Sequence, residues 1–155
     1  MISSEVLRHY LFFSRLTDRC LKALALLADE RVYAEGVMLF EAGQPAGAFY
    51  FLTEGGIDLY YRVVDDADPE LCQDFLLGHV PPGEPFGISA LIEPYCYTAT
   101  ALVTCPSRAL KIGSVGLRTL FEVDAGLSAM FMHGIARVAM ARLHATSIQL
   151  AAARI

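Results

Sequence analysis

The spacing of apolar and polar residues changes character twice along this chain. Positions 4–10 read as a short helix, and the run Phe12-Phe13-Ser14-Arg15-Leu16-Thr17-Asp18 leads into a second. Thr17 or Asp18 can cap that helix, since a short oxygen-bearing side chain accepts a bond from a free N–H of the first turn. Leu21, Leu24, Ala25 and Ala28 then recur at helical spacing, so the helix is expected to reach about Ala28 with one apolar face. From position 31 to about 112, glycines stand at 36, 43, 47, 55, 56, 78, 83 and 87. Short apolar or aromatic runs lie between them, at 37–40, 49–53, 57–64, 72–80, 99–104 and 108–112. Strands of this length, punctuated by Gly and Pro, predict a small antiparallel barrel or sandwich. Asp65-Asp66-Ala67-Asp68-Pro69 reads as a polar hairpin tip rather than a calcium loop, because the ordered oxygen-ligand spacing is missing.

Helical spacing returns after Gly113, with a short helix over 114–121 and a long one over 125–153 interrupted only by Gly134. The long helix is apolar on more than one side. Met132, Ala136, Ala139, Leu143, Thr146, Leu150 and Ala153 follow steps of four and three, while Phe131, Ile135 and Val138 make a neighbouring stripe. One stripe can cover the β region and the other can pair with a second copy, so a homodimer is expected. The stripe through Met132, Ala136, Ala139, Leu143 and Leu150 is the candidate seam; the pattern alone leaves open which stripe faces which way.

Composition narrows the class. In 155 residues, 55% are hydrophobic and 19% charged, which suits one folded domain and excludes disorder. The expected organisation is a single domain over 1–155, with N-terminal helices to 30, β structure over 31–112 and C-terminal helices from 113. The net charge is −5 with scattered arginines, so no basic stripe for nucleic acid is present. No apolar run is long enough to span a bilayer and no signal peptide is recognisable, so a soluble cytoplasmic chain without membrane contact is expected. Cys20, Cys72, Cys96 and Cys105 form no Cys-x-x-Cys pair and are read as reduced, packed thiols.

The candidate chemistry lies in two strings. The first is Gly36-x-x-Leu39-Phe40-x-x-Gly43-x-x-Ala46-x-x-Phe49-Tyr50-x-Leu52-x-x-Gly55-x-Ile57. The second is Pro82-Gly83-Glu84-x-Phe86-Gly87-x-x-Ala90-Leu91, followed by Thr98-Ala99-Thr100. Together they resemble the cyclic-nucleotide-binding domain, in the form found in bacterial regulators of the catabolite-activator and fumarate–nitrate-regulator type. The resemblance covers nearly the whole chain. It implies a mainly β fold with flanking helices: an antiparallel eight-stranded β-roll, a short cassette helix inside it and a long C-terminal helix. It also places a ligand pocket at Phe86, Gly87, Ile88, Ser89, Ala90, Leu91, Tyr97, Thr98 and Ala99.

In that family the cassette carries a glutamate for the ribose hydroxyl and an arginine for the cyclic phosphate. Aligned without a gap, Ile88 stands in place of the glutamate and Tyr97 in place of the arginine. Losing a charge-assisted bond to a buried phosphate costs about 2–5 kcal/mol, and losing the ribose contact adds roughly 1–3 kcal/mol. A divergent form of the cassette puts an arginine directly after Pro-Tyr, and here that position is Cys96. The expected pocket is therefore apolar, with a phenol, a few hydroxyls and a thiol. Glu84 and Glu93 read as turn and surface residues.

Other chemistries fall away. His79 sits in a strand and reads as structural; no Cys-x-x-Cys-His, N-terminal cysteine cluster or His-x-His is present, so no haem, iron–sulfur or cupin metal site and no cofactor are expected. No nucleophile–base pair stands out, so no enzyme is expected. Bacterial relatives carry a helix-turn-helix after the long helix, and the chain offers none, so no nucleic-acid contact is expected. The functional expectation is a ligand-sensing regulatory module that does not hold cyclic AMP or cyclic GMP in the usual way. The alternatives are the sensor half of a transcription regulator, or a cyclic-nucleotide binder with atypical contacts.

Overall fold

The computed structural model describes residues 2–154; the two ends of the expected domain, Met1 and Ile155, lie outside the described residues. Helix α1 spans Ser4–Arg8, a 3-10 turn spans Leu11–Phe13, and α2 spans Asp18–Leu27. Thr17 is the α2 cap, its hydroxyl accepting from the Cys20 N–H. The face of α2 bearing Cys20, Leu21, Leu24 and Ala25 is buried, as helical spacing predicts.

Six strands follow: β1 Ala28–Tyr33, β2 Met38–Phe40, β3 Ala48–Val64, β4 Cys72–Val80, β5 Pro85–Phe86 and β6 Thr100–Gly113. All pairings are antiparallel, in the order β1-β6-β3-β4, with β2 added to β6 and β5 to β3. The β-roll class agrees with the expectation; the count of eight does not. The two pairs of runs expected as separate strands, 49–53 with 57–64 and 99–104 with 108–112, are each one continuous strand bent within the sheet. The bend lies where β3 slips register against β6 between Leu52 and Ile57. There the Ser107 hydroxyl donates to the carbonyl oxygens of Cys105 (2.7 Å) and Gly56 (3.3 Å) and accepts from the Gly56 N–H (3.1 Å). One side chain thus replaces the ladder bonds lost at the corner, beside Pro106, which has no N–H to contribute. The β region also begins earlier than expected, at Ala28, because 28–33 pair with 107–112.

After the roll come α3 (Ser114–Val123) and α4 (Ala125–Ala153). Asp124 caps α4, accepting from the Leu127 N–H and the buried Cys20 thiol, so the start of α4 is tied to α2. These donors hold its carboxyl below the usual range, the Leu127 N–H contributing most. Leu127, Phe131 and Ile135 are the buried face of α4. Phe131 meets Phe12 and Phe49 edge-on, each at 5.2 Å between centroids, which joins the helices to the inside of the roll. The stripe that faces the roll is therefore the one through Phe131 and Ile135. Ala136, Leu143 and Leu150 are exposed, and Met132 is half-buried against the core.

The corner at β3 depends on a missing side chain. Gly55 has φ +96°, and a Cβ there would lie 2.7 Å from Ser107 Cα. Gly55→Ala is expected to lower unfolding stability by about 1–3 kcal/mol or more, combining left-handed backbone with a clash; urea denaturation of parent and variant measures it.

Candidate functional site

The cassette begins where β5 ends. Phe86 is fully buried and stacks on Tyr50 at 5.0 Å, which fixes the chain just before it turns. Gly87 then takes φ +65° and starts the 3-10 turn Ile88–Leu91. Its φ lies in the left-handed region that favours glycine, and a Cβ there would press on the Tyr50 ring at 3.2 Å. Ala90 and Leu91 point into the core, which anchors the turn and leaves Ile88 and Ser89 on its open side.

That open side faces a cavity of about 310 Å³. Its floor is Phe40, Leu59 and Tyr97. One wall is Gly87, Ile88 and Ser89 with Thr98 and Ala99; the other is Leu77, Gly78 and His79 of β4. The roof is α4, through Ala139, Arg142, Leu143 and Thr146. Of the nine residues expected to make the pocket, Gly87, Ile88, Ser89, Tyr97, Thr98 and Ala99 line this cavity. Phe86, Ala90 and Leu91 stand behind its wall. Two residues expected at the dimer seam, Ala139 and Leu143, line the cavity of their own chain.

Tyr97 differs from expectation. Its hydroxyl is not offered to the cavity: it donates to the Ala48 carbonyl (2.7 Å) and accepts from the Ala48 N–H (3.2 Å). Its ring lies on Phe40 at 3.8 Å, nearly parallel. At 6% exposure it is a core residue whose ring surface forms the floor. Burial pushes the phenol's pKa up, only partly opposed by the backbone contact, and burial raises Tyr50 further still. The expected thiol is also missing from the lining: Cys96 turns away, toward the Pro94 carbonyl. The remaining cassette hydroxyls, Ser89 and Thr98, stand 3.4 Å apart.

Two polar groups come from outside the cassette. His79 Nδ1 is 2.7 Å from Asp58, whose other oxygen accepts from the Tyr60 hydroxyl, so the imidazole is held at the rim by a carboxylate. Arg142 reaches from α4 to the carbonyl oxygen of Pro85. Burial lowers its pKa, and nearby Glu84 partly offsets this. Arg142 was not singled out by sequence. The available signal was its position three residues after Ala139 and four before Thr146, on the helical face that the apolar stripe already marked.

Comparison with known proteins agrees with this geometry. The cyclic nucleotide-binding domain model matches residues 30–124. A crystal structure from Geobacter metallireducens GS-15, described as a cyclic nucleotide-binding protein, is 37% identical and superposes with a TM-score of 0.80, covering 93% of this chain and 100% of that one. The N-terminal domain of a transcriptional regulator from Streptomyces coelicolor A3(2) is 26% identical, with a TM-score of 0.66 over 87% of this chain and 92% of that one. The Thermus thermophilus catabolite activator protein shares the fold at 20% identity and a TM-score of 0.68; the aligned part is 92% of this chain and 62% of that longer one. No curated protein matches the chain. Among the described residues no helix is long and apolar enough to cross a membrane.

Tyr97→Phe keeps the stack but strands the Ala48 N–H in a buried place. It is expected to cost about 1–3 kcal/mol in denaturant unfolding. Tyr97 and Tyr50 must both stay neutral in the fold, and each has its pKa raised relative to an unfolded tyrosine at about 10. Their contribution is therefore complete below about pH 10 and is lost as pH rises through the folded values. Melting temperature should fall on going from about pH 9 to 11, less steeply in Tyr97→Phe than in the parent.

Proposed function

The chain belongs to the cyclic nucleotide-binding domain family, and we propose that within it this chain is a regulatory ligand-binding module, working as one domain, that does not hold cyclic AMP or cyclic GMP by the usual cassette contacts. One observation carries the reading. The cavity is open, yet neither position that should anchor a cyclic nucleotide offers it a polar group: Ile88 presents an aliphatic wall, and the Tyr97 hydroxyl is consumed by Ala48. A phosphate taken from water needs a compensating charge, and a sugar hydroxyl needs an acceptor. The module is not an enzyme in this reading; its output is the position of α4, which roofs the cavity.

Dimerisation through α4 belongs to the same reading. Met140, Leu143, Ile148 and Leu150 are each more than half exposed, at 65%, 62%, 56% and 57%. Ala136, Ala139, Leu143 and Leu150 are exposed, and a second copy packing along the stripe Met132, Ala136, Ala139, Leu143 and Leu150 would cover them. A second reading, the sensor half of a transcription regulator, is favoured by the match to the Streptomyces regulator domain over nearly its full length.

Isothermal titration with cyclic AMP and cyclic GMP is expected to give dissociation constants weaker than about 100 µM, since contacts worth several kcal/mol are missing. A low-micromolar value for either would falsify the reading. For assembly, Leu150 is the better probe than Leu143, because it is exposed and does not line the cavity. Sedimentation is expected to show a dimer in the parent and a monomer in Leu150→Glu, with the far-ultraviolet circular dichroism unchanged.

A further inference from the structure

Resting on the proposed ligand-binding reading, we infer that the cavity takes a small, largely apolar monoanion of the arene carboxylate class, its acid group held by Arg142 from the roof helix. Three features of the lining lead there. The stacked rings of Phe40 and Tyr97 at the floor and the aliphatic side chains of Leu59, Leu77 and Ile88 suit a compact apolar body. The volume, about 310 Å³, is at the small end for ligand sites, which excludes a long chain or an extended nucleotide. Arg142 is the lone arginine or lysine in the lining, and its side chain brings a permanent charge to an otherwise apolar wall.

The guanidinium is incompletely used. It donates from Nη2 to the Pro85 carbonyl and forms no other hydrogen bond and no ion pair among the described residues. A guanidinium carries five N–H donors in a planar fork, and a carboxylate is the group that takes two of them at once. The charge balance favours a single negative charge. Asp58 at the rim is already engaged by His79 and Tyr60, and Glu84 behind the wall offsets part of the Arg142 charge. A phosphate dianion would meet one cation and no second. The cassette hydroxyls of Ser89 and Thr98 lie on the opposite wall from β4 and can donate to a polar substituent at the far edge.

The probes are 1-naphthoate and its neutral isostere 1-naphthamide, titrated calorimetrically into the full chain. Naphthoate is expected to bind about 10-fold or more tightly than naphthamide, as a charge-assisted pair exceeds a neutral one. In Arg142→Met, naphthoate should weaken by about 30-fold or more while naphthamide changes little; Arg142→Lys should keep part of the preference. Ala139→Phe, which leaves the charge in place but fills the roof, should block both, and this separates the cavity from the surface groove near Arg15 and Arg137. Equal binding of acid and amide, or naphthoate binding unmoved by Arg142→Met, overturns this inference while leaving an open ligand pocket. Failure of naphthoate to bind at millimolar concentration overturns it too. Micromolar cyclic nucleotide binding without naphthoate binding overturns both the inference and the reading beneath it.

Discussion

The pocket is organised by one buried phenol. Tyr97 sits where its hydroxyl meets both backbone groups of Ala48, the first residue of β3, and where its ring closes a stack with Phe40 that continues to Tyr50 and Phe86. A buried N–H and C=O at the start of a strand need partners, and Tyr97 supplies both from 49 positions away in sequence. The loop after the cassette is thereby bound to the sheet it crosses. An arginine at this place would have to be solvated or paired, so the constraint that seals the floor also keeps a cation out of it.

The other determining element is α4, which serves two environments along its length. Its first turns belong to the core through Leu127, Phe131 and Ile135, and the Asp124 cap binds them to α2 through Cys20. Its middle roofs the cavity, and Arg142 reaches β5 there. Past Arg142 its described residues are all exposed, with Leu143 and Thr146 still at the edge of the cavity. Ala139, Leu143 and Thr146 line the cavity and are also exposed, so the cavity roof and the open face of the helix share side chains.

Much of the architecture is legible in the residues themselves. Period-3.6 spacing and the cap at Thr17 mark the helices because capping and amphipathicity are local properties. The run over 72–80 and the helix over 125–153 coincide with β4 and α4. The glycine-punctuated runs mark strands for the same local reason. Local pattern was least informative at the bends. Thr53 to Gly56 and Cys105 to Ser107 look like turns between strands, yet the sheet continues through them, because Ser107 repairs the ladder from the neighbouring strand. That repair is a contact across 51 positions and leaves no periodic trace.

The sequence by itself determined the family, the class of fold, the cassette and the absence from it of a carboxylate at 88 and a cation at 97. These depend on residue identity at fixed spacing, which the chain displays directly. Only the tertiary structure decided which way those residues face. Tyr97 is spent on the backbone of β3, Phe86, Ala90 and Leu91 stand behind the wall, and Cys96 turns outward. It also decided that a charge reaches the cavity at all. Arg142 lies 45 positions beyond Tyr97 on a separate helix, and only packing α4 over the roll brings the two to one cavity. Side-chain direction at a site is settled by what surrounds it in space, and that surrounding is assembled from segments the sequence holds far apart.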